Sequence, residues 1–369
     1  MLLLLYLLII IIGFAVRVPR RWYWLICTAV LCLLVNTSDA CADLSSYTYI
    51  FNSIGEAGLA YSGTTPIGWT VLCLFFYKLG FSYRGMIIFV ILLCMFLIHY
   101  SLKDYSISEG RFWAMFLVFP ALAQCVQMRF FLATSIVFFA LQFMLKKGKK
   151  GLIPYIIGVI VATLIHTSCL VFIAFVLVAF FEKINFRKVM TVSVILSVIV
   201  AVFRSYLLSF ISLLSFIPQE KLIRYFYEDA QVATTRWIIL MAGTYFACVA
   251  FVWFFKNQTK RPVVLETSAY IQEEKYVLNR MVSFVCLLTF TLPLMLFDAS
   301  MYRFIEVGMY VTFCMAGWYW KNSGKRYLEK LIVLLVLCIP LYYVLRNVAS
   351  VSNVLEPFFT FSGFNSLLR

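Results

Sequence analysis

The chain has 369 residues, 64% of them hydrophobic and only 13% charged, and a net charge of +15 at neutral pH. A soluble domain carries roughly a quarter charged residues and about half apolar ones, so one aqueous core cannot absorb this much apolar surface and the solvent must be lipid. The positive charge does not point to nucleic acid, because Lys and Arg sit in short clusters between apolar runs and form no basic face with interleaved aromatics.

A spanning helix needs about twenty mostly apolar residues. The first such run, Met1 to Val16, has no basic segment before it and no small-residue cleavage site, so it reads as a span rather than a signal peptide. Further runs follow at 22–37, 85–102, 111–126, 130–145, 152–165, 168–182, 188–205, 236–255, 279–297, 302–320 and 330–346. The expected fold is therefore all-α: a polytopic membrane protein of about 12 transmembrane helices, forming a single transmembrane domain over 1–369. The stretch 66–81, PIGWTVLCLFFYKLGF, is short, opens with Pro66 and carries Lys78. It is read as a re-entrant or interfacial helix on the outer side, with 206–217 as a second candidate.

Orientation follows from the positive-inside rule. With RVPRR (17–21) in the cytoplasm, the inner loops are 17–21, 103–111, 146–151 (KKGKKG), 183–188, 256–280 and 321–330, which hold 21 of the 31 Lys and Arg. Outer loops are expected at about 38–84 and 206–235, and the long cytoplasmic loop at about 256–278. Of the outer cations only Lys78 and Lys221 are lysines, so the outer charge is mainly arginine. The eleven cysteines are scattered, without a CxxC pair or a Cys/His cluster at zinc spacing. They are expected to behave as small hydrophobes, and neither disulfides nor a metal is expected.

Charged groups within membrane segments are costly, and each requires a reason. Asp43 opens DLSSYTY in the outer loop after the second run, with Tyr47 four residues on and on the same face of any short helix there. It is either a solvated loop acid or a site carboxylate. Arg129 lies in AQCVQMRFFLATS, flanked by Gln124 and Gln127 with almost no polar loop. Placed in the first turn of the next helix, its fork of donors joins the helix-end amides as an anion site. The alternative is an arginine snorkelling to the interface, and function is preferred. His166 interrupts a long apolar run in ATLIHTSCLVF. It is either a satisfied core group or an imidazole for base or donor work near neutral pH. The other histidine, His99, falls near an inner helix end and looks incidental. Arg303 starts a late run with Asp298 five residues before it, and Glu306 three residues on offers an ion pair. A phosphate contact is the equal alternative.

Outer-face arginines, an acid and an imidazole suit a substrate with phosphates and an acceptor hydroxyl. Guanidiniums neutralise a departing diphosphate, and an acid or imidazole takes the proton of the attacking hydroxyl. The sequence has no DxD-like metal motif, P-loop, GxSxG or HExxH, which removes soluble-type glycosyltransferases, NTPases, serine hydrolases and zincins.

Three passages resemble the EpsG family of bacterial exopolysaccharide proteins, a branch of the Wzy-type polymerases. They are DLSSYTYIF (43–51), similar to its outer-loop D-x3-Y; QMRFFLATSIVFFALQFMLKK (127–147), similar to its I-R-Q-x-L-A helix and basic loop; and ATLIHTSCLVF (162–172), similar to its A-x-x-x-H-x-S-A-L stretch. Arg303 before an aromatic-rich helix also fits. The chain departs from the family at Phe130, where Gln is usual, and has no Arg shortly before Asp43. The resemblance implies a GT-C-like, metal-independent membrane glycosyltransferase without cofactor. Such an enzyme moves an undecaprenyl-diphosphate-linked glycan onto the next lipid-linked repeat, at the outer face of the bacterial inner membrane. The polymer would be an exopolysaccharide, capsule or O-antigen, and a flippase and chain-length regulator would be pathway partners. It also implies Asp43 and His166 as catalytic groups, Arg129 and Arg303 as diphosphate ligands, and Tyr47, Gln127 and Asp298 as substrate contacts. The rivals are a lipid-oligosaccharide flippase or transporter, which wants charges at mid-bilayer, and another outer-face transferase such as a glycan ligase or O-acyltransferase.

Overall fold

In lipid a backbone must satisfy its own hydrogen bonds, and this chain does so by the helical route. The computed structural model describes residues 2–16, 20–37, 44–61, 65–103, 105, 107–181, 186–203, 206, 235–258, 269–296 and 299–352. Every regular element among them is a helix. Asp43, Asp298 and most of the candidate segment 206–217 lie outside the described residues. Five helical stretches are long and apolar enough to cross a membrane: Tyr83–Leu102, Met128–Ile165, Thr235–Gln258, Glu273–Leu296 and Tyr327–Arg346. Shorter apolar helices lie at Leu2–Ala15, Trp22–Asn36, Ile67–Lys78 and Thr167–Phe180.

The chain divides into two compact units. The first holds Met1–Ala140, Ile157–Val171 and Lys325–Arg369. It opens with α1 (Leu2–Ala15), α2 (Arg20–Thr37), α3 (Leu44–Ala57), α4 (Ile67–Lys78) and α5 (Tyr83–Leu102). The predicted run 111–126 is broken in two, as α6 (Glu109–Val118) and α7 (Ala121–Val126), around a cis Phe119–Pro120 peptide. α8 (Met128–Lys147) and α9 (Leu152–Ile165) follow, joined by a tight turn over Gly148–Gly151. α1 packs on α6, α2 on α5 and α3 on α4. Phenols tie these helices together: Tyr6 donates to the Leu117 carbonyl at 2.5 Å and Tyr23 to that of Ile9 at 2.6 Å.

The second unit holds Leu141–Ile156 and Phe172–Gly324. A 3-10 helix runs Thr167–Phe180, followed by α10 (Phe186–Val202), α11 (Thr235–Gln258) and α12 (Ala269–Leu287). α12 tightens into a 3-10 segment, Leu288–Leu296, and a short one at Ala299–Arg303 leads into α13 (Phe304–Asn322). α14 (Tyr327–Ser352) returns to the first unit. Within the second unit α11 packs on α12 and α13, and Tyr245 donates to the Val285 carbonyl and shares a 2.8 Å bond with Thr289 at the junction where α12 tightens. Phe175 packs its ring on Phe284 with centroids 4.7 Å apart.

Several arginines serve the fold. The last carbonyls of a helix have no partner within it, and guanidiniums supply one. Arg111, buried, donates to Val16 at 2.9 Å and Phe14 at 3.2 Å, where Tyr327 also donates to Ala15 at 2.8 Å, closing the end of α1. Arg280, 4% exposed, donates to Leu145 at 2.6 Å and Lys146 at 3.0 Å, closing the end of α8. Arg84, half-buried, reaches the Asn36 carbonyl at 2.7 Å in a solvent-exposed bond at the end of α2. A hydrogen bond from a charged group contributes about 1.5–3 kcal/mol. Arg280→Met is therefore expected to lower the melting temperature in detergent by several degrees, whereas Arg84→Ala shifts it little; equal shifts would contradict this assignment.

His99 is not incidental. Its Nδ1 lies 3.2 Å from the Glu109 carboxylate and its ring stacks on Trp24 at 4.7 Å, so it joins α5 to α6 and α2.

Candidate functional site

The site is built at one end of the α8–α9 hairpin. α8 has 20 residues, about 30 Å of helix. Arg129 occupies its first turn and Lys146 and Lys147 its last. The chain then reverses: Gly151 lies against the Phe143 backbone, and Gly158 against Ala140, where a larger residue would push the two helices apart. α9 thus runs back along α8 and ends at Ile165, so His166 arrives beside Phe130 with ring centroids 5.2 Å apart and an edge-on angle of 77°. That pairing sets Arg129, the neighbour of Phe130 in the chain, and His166 at the same end of the hairpin, away from the lysine turn.

Gln127 makes the break that starts α8. Its N–H donates to Gln124 at 3.0 Å, ending α7, and its carbonyl accepts from Phe131 at 2.9 Å, opening α8. Its side-chain Oε1 is buried without a hydrogen-bond partner among the described residues. Two residues on, the Arg129 guanidinium lies over the Tyr47 ring, 5.0 Å from its centroid, with Nη2 3.4 Å from the phenolic oxygen. A cation over an aromatic face is attracted by the ring's quadrupole. Tyr47 is held in turn by Tyr83, at 6.2 Å, and Phe51 packs on Tyr83 at 5.8 Å. The aromatic support of Arg129 therefore comes from α3 and α5.

α4 forms the remaining wall. Its Gly68 approaches the Leu164 carbonyl so closely that an added Cβ would sit 2.7 Å from that oxygen. Glycine is what allows α4 to meet the last turn of α9 next to His166. The helix has 12 residues, about 18 Å, against roughly 30 Å of hydrocarbon.

The imidazole itself is fixed through Nδ1, which lies 2.7 Å from the Ser168 hydroxyl. Ser168 was not singled out from the sequence, and Phe130 was noted only as a departure from the family's pattern; the His-x-Ser spacing was visible, but the bond between its ends was not. Arg303 lies in the second unit, half-buried at the start of α13, with its Nε buried and without a hydrogen-bond partner among the described residues. The ion pairs shown among the described residues, His99 with Glu109 and Lys325 with Glu329, do not include the Arg303–Glu306 pair that their spacing offers. Glu306 is fully buried within α13. Among the described residues no three His, Cys, Asp or Glu gather as metal ligands.

A helical protein with several membrane-length segments, with a guanidinium laid over a phenol where α8 begins and an imidazole where α9 ends, is a polytopic membrane protein with polar groups at helix termini. The chain belongs to the EpsG family, whose model matches residues 20–360. That family is associated with polysaccharide-polymerase-type function. No curated protein and no solved structure matches the chain.

Proposed function

We propose that this chain is a polysaccharide polymerase, a Wzy-type glycosyltransferase that moves a growing undecaprenyl-diphosphate-linked glycan onto the next lipid-linked repeat. The observation behind this reading is that Arg129, laid over Tyr47, and His166, edge-on to Phe130, share the hairpin end opposite KKGKKG. With the lysines held in the cytoplasm by the positive-inside rule, these groups stand at the outer face of the cytoplasmic membrane, at the height of a lipid carrier's phosphates. In this reading the chain forms one transmembrane domain of about twelve spans with a GT-C-like plan, and α4 is re-entrant from the outer side.

The chemistry follows from the groups. The guanidinium of Arg129 neutralises the diphosphate as it leaves with the bonding electrons, and no metal or other cofactor is invoked. Gln127 and Tyr47 hold sugar and phosphate oxygens. His166 or Asp43 takes the proton of the acceptor hydroxyl. Arg303 and Asp298 are proposed as further substrate contacts, Arg303 because its Nε is buried without a partner among the described residues. The flippase and chain-length regulator of the same pathway are the proposed partners.

The test is a strain lacking the gene. Single repeats exported and attached to their usual acceptor are expected. Repeats trapped inside the cell would mean transport and would overturn the reading. Single-cysteine labelling at 129 and 166 from outside, without permeabilisation, checks the side; labelling only from the cytoplasm would reverse the orientation.

A further inference from the structure

A hydroxyl on a membrane helix has a default partner, the carbonyl three or four residues earlier, because no water competes for it. This chain follows that default repeatedly. Thr28 donates to Trp24, Thr134 to Phe130, Ser193 to Val189 and Thr312 to Gly308, all at 2.7–2.9 Å. Thr163, on the last turn of α9, donates to Val159 at 2.7 Å. Ser168, five residues further along, breaks the pattern. Its Oγ lies 2.7 Å from Nδ1 of His166, a side chain rather than a carbonyl.

The backbone explains how. His166 still donates its N–H to Ala162 at 2.8 Å, completing α9, while its carbonyl accepts from Cys169 at 2.9 Å, closing the first turn of a tighter 3-10 helix. The change of winding between these two bonds swings Ser168 away from the row of carbonyls and back onto the imidazole. Phe130 meets the same ring edge-on. The ring is held at Nδ1 by this hydrogen bond and meets Phe130 of α8 edge-on, and Nδ1 so engaged is not the nitrogen for proton transfer.

We propose that Ser168 is a positioning residue for His166, accepting a hydrogen bond from Nδ1–H so that Nε2 presents its lone pair to the acceptor hydroxyl. The proposal rests on the polymerase reading above. In the step, the acceptor sugar's hydroxyl oxygen forms the new bond to the anomeric carbon of the donor glycan, and its proton passes to Nε2. The bond from that carbon to the carrier's diphosphate oxygen breaks, and its electron pair leaves on the diphosphate. The imidazolium so formed still donates from Nδ1 to Oγ, now as a charge-assisted and stronger bond. Ser168 therefore stabilises the charged product of proton transfer more than the neutral reactant, which is how a residue that touches no substrate accelerates a step.

The experiment uses the purified full-length protein in proteoliposomes, with lipid-linked repeats isolated from a strain lacking the gene as substrate. Ser168→Ala is expected to lower kcat about tenfold to a hundredfold with KM little changed, because general-base catalysis is lost in part while binding is not. Ser168→Thr, which keeps the hydroxyl, is expected to recover most of the rate, and Ser168→Val, its equivalent in shape, to recover none. The double variant with His166→Ala should be no slower than His166→Ala alone. Wild-type kcat in Ser168→Ala, equal rates for the Thr and Val variants, or a double variant slowed by the product of the two single effects would each overturn the proposal. Thr against Val carries the comparison even where Ala packs poorly. Failure of the polymerase reading looks different: the wild-type protein itself then fails to lengthen the supplied repeats.

Discussion

Arg129→Ala is expected to lower the rate of chain extension by about a hundredfold to a thousandfold and to leave surface glycan as single repeats. Loss of one preorganised donor at a developing negative charge costs that much in enzymes that work by electrostatic stabilisation. The guanidinium is preorganised here in a specific way, laid over Tyr47 and started from the first turn of α8. Arg129→Lys is expected to recover little, since an ammonium is a point charge without the planar fork that meets two phosphate oxygens. Tyr47→Phe keeps the ring and loses only the hydroxyl 3.4 Å from Nη2, so its effect is expected to be several-fold. Glycan length on gels and initial rates with isolated lipid-linked repeats measure all three. Long chains made at normal rate by Arg129→Ala would remove this residue from the site.

His166→Ala carries the second large effect, a loss of about a hundredfold to ten-thousandfold, the range of general acid–base catalysis. Its environment separates this from a packing defect. The ring is half-buried and stands on Phe130, so truncation removes little core volume, and an unchanged melting temperature should accompany the lost rate. Phe130→Leu, which loosens the ring while keeping both nitrogens, is expected to fall between wild type and His166→Ala. A His166→Ala enzyme that extends chains at the wild-type rate would shift the base role to Asp43.

Much of the fold was legible because hydropathy alone reports lipid exposure. Each apolar run read from the sequence coincides with helical structure among the described residues, from Leu2–Ala15 to Tyr327–Ser352. Breaks inside the runs were not legible. The run 111–126 is split into α6 and α7 around Phe119–Pro120, which was not expected from the sequence, whereas the end at Val126 and the restart at Met128 fall where one apolar run ends and the next begins. The bond that makes that restart, from the Gln127 amide back to Gln124, was not visible. The change from α to 3-10 winding after His166 was hidden for the same reason, since both windings accept the same apolar residues. At the site, the pairing of α8 with α9 follows from the short GKKG turn, but the partners of Arg129 did not, because Tyr47 is 82 residues away in sequence. Glu306 and His99 show the opposite error. Spacing suggested a local role for one and none for the other, and tertiary packing turned Glu306 inward and set His99 against Glu109.

The α8–α9 hairpin has a consequence beyond the reaction. Four lysines at its turn are drawn to anionic headgroups, each by about 1 kcal/mol near the surface, and the helix between them and Arg129 has a fixed length of about 30 Å. On the reading proposed above, the protein would be moored to one leaflet while acting at the other. Acyl-chain length would then be a variable of the proposed catalysis: a thicker bilayer would draw a carrier's phosphates above the guanidinium, a thinner one would drop them below it, and lipid composition would tune the rate.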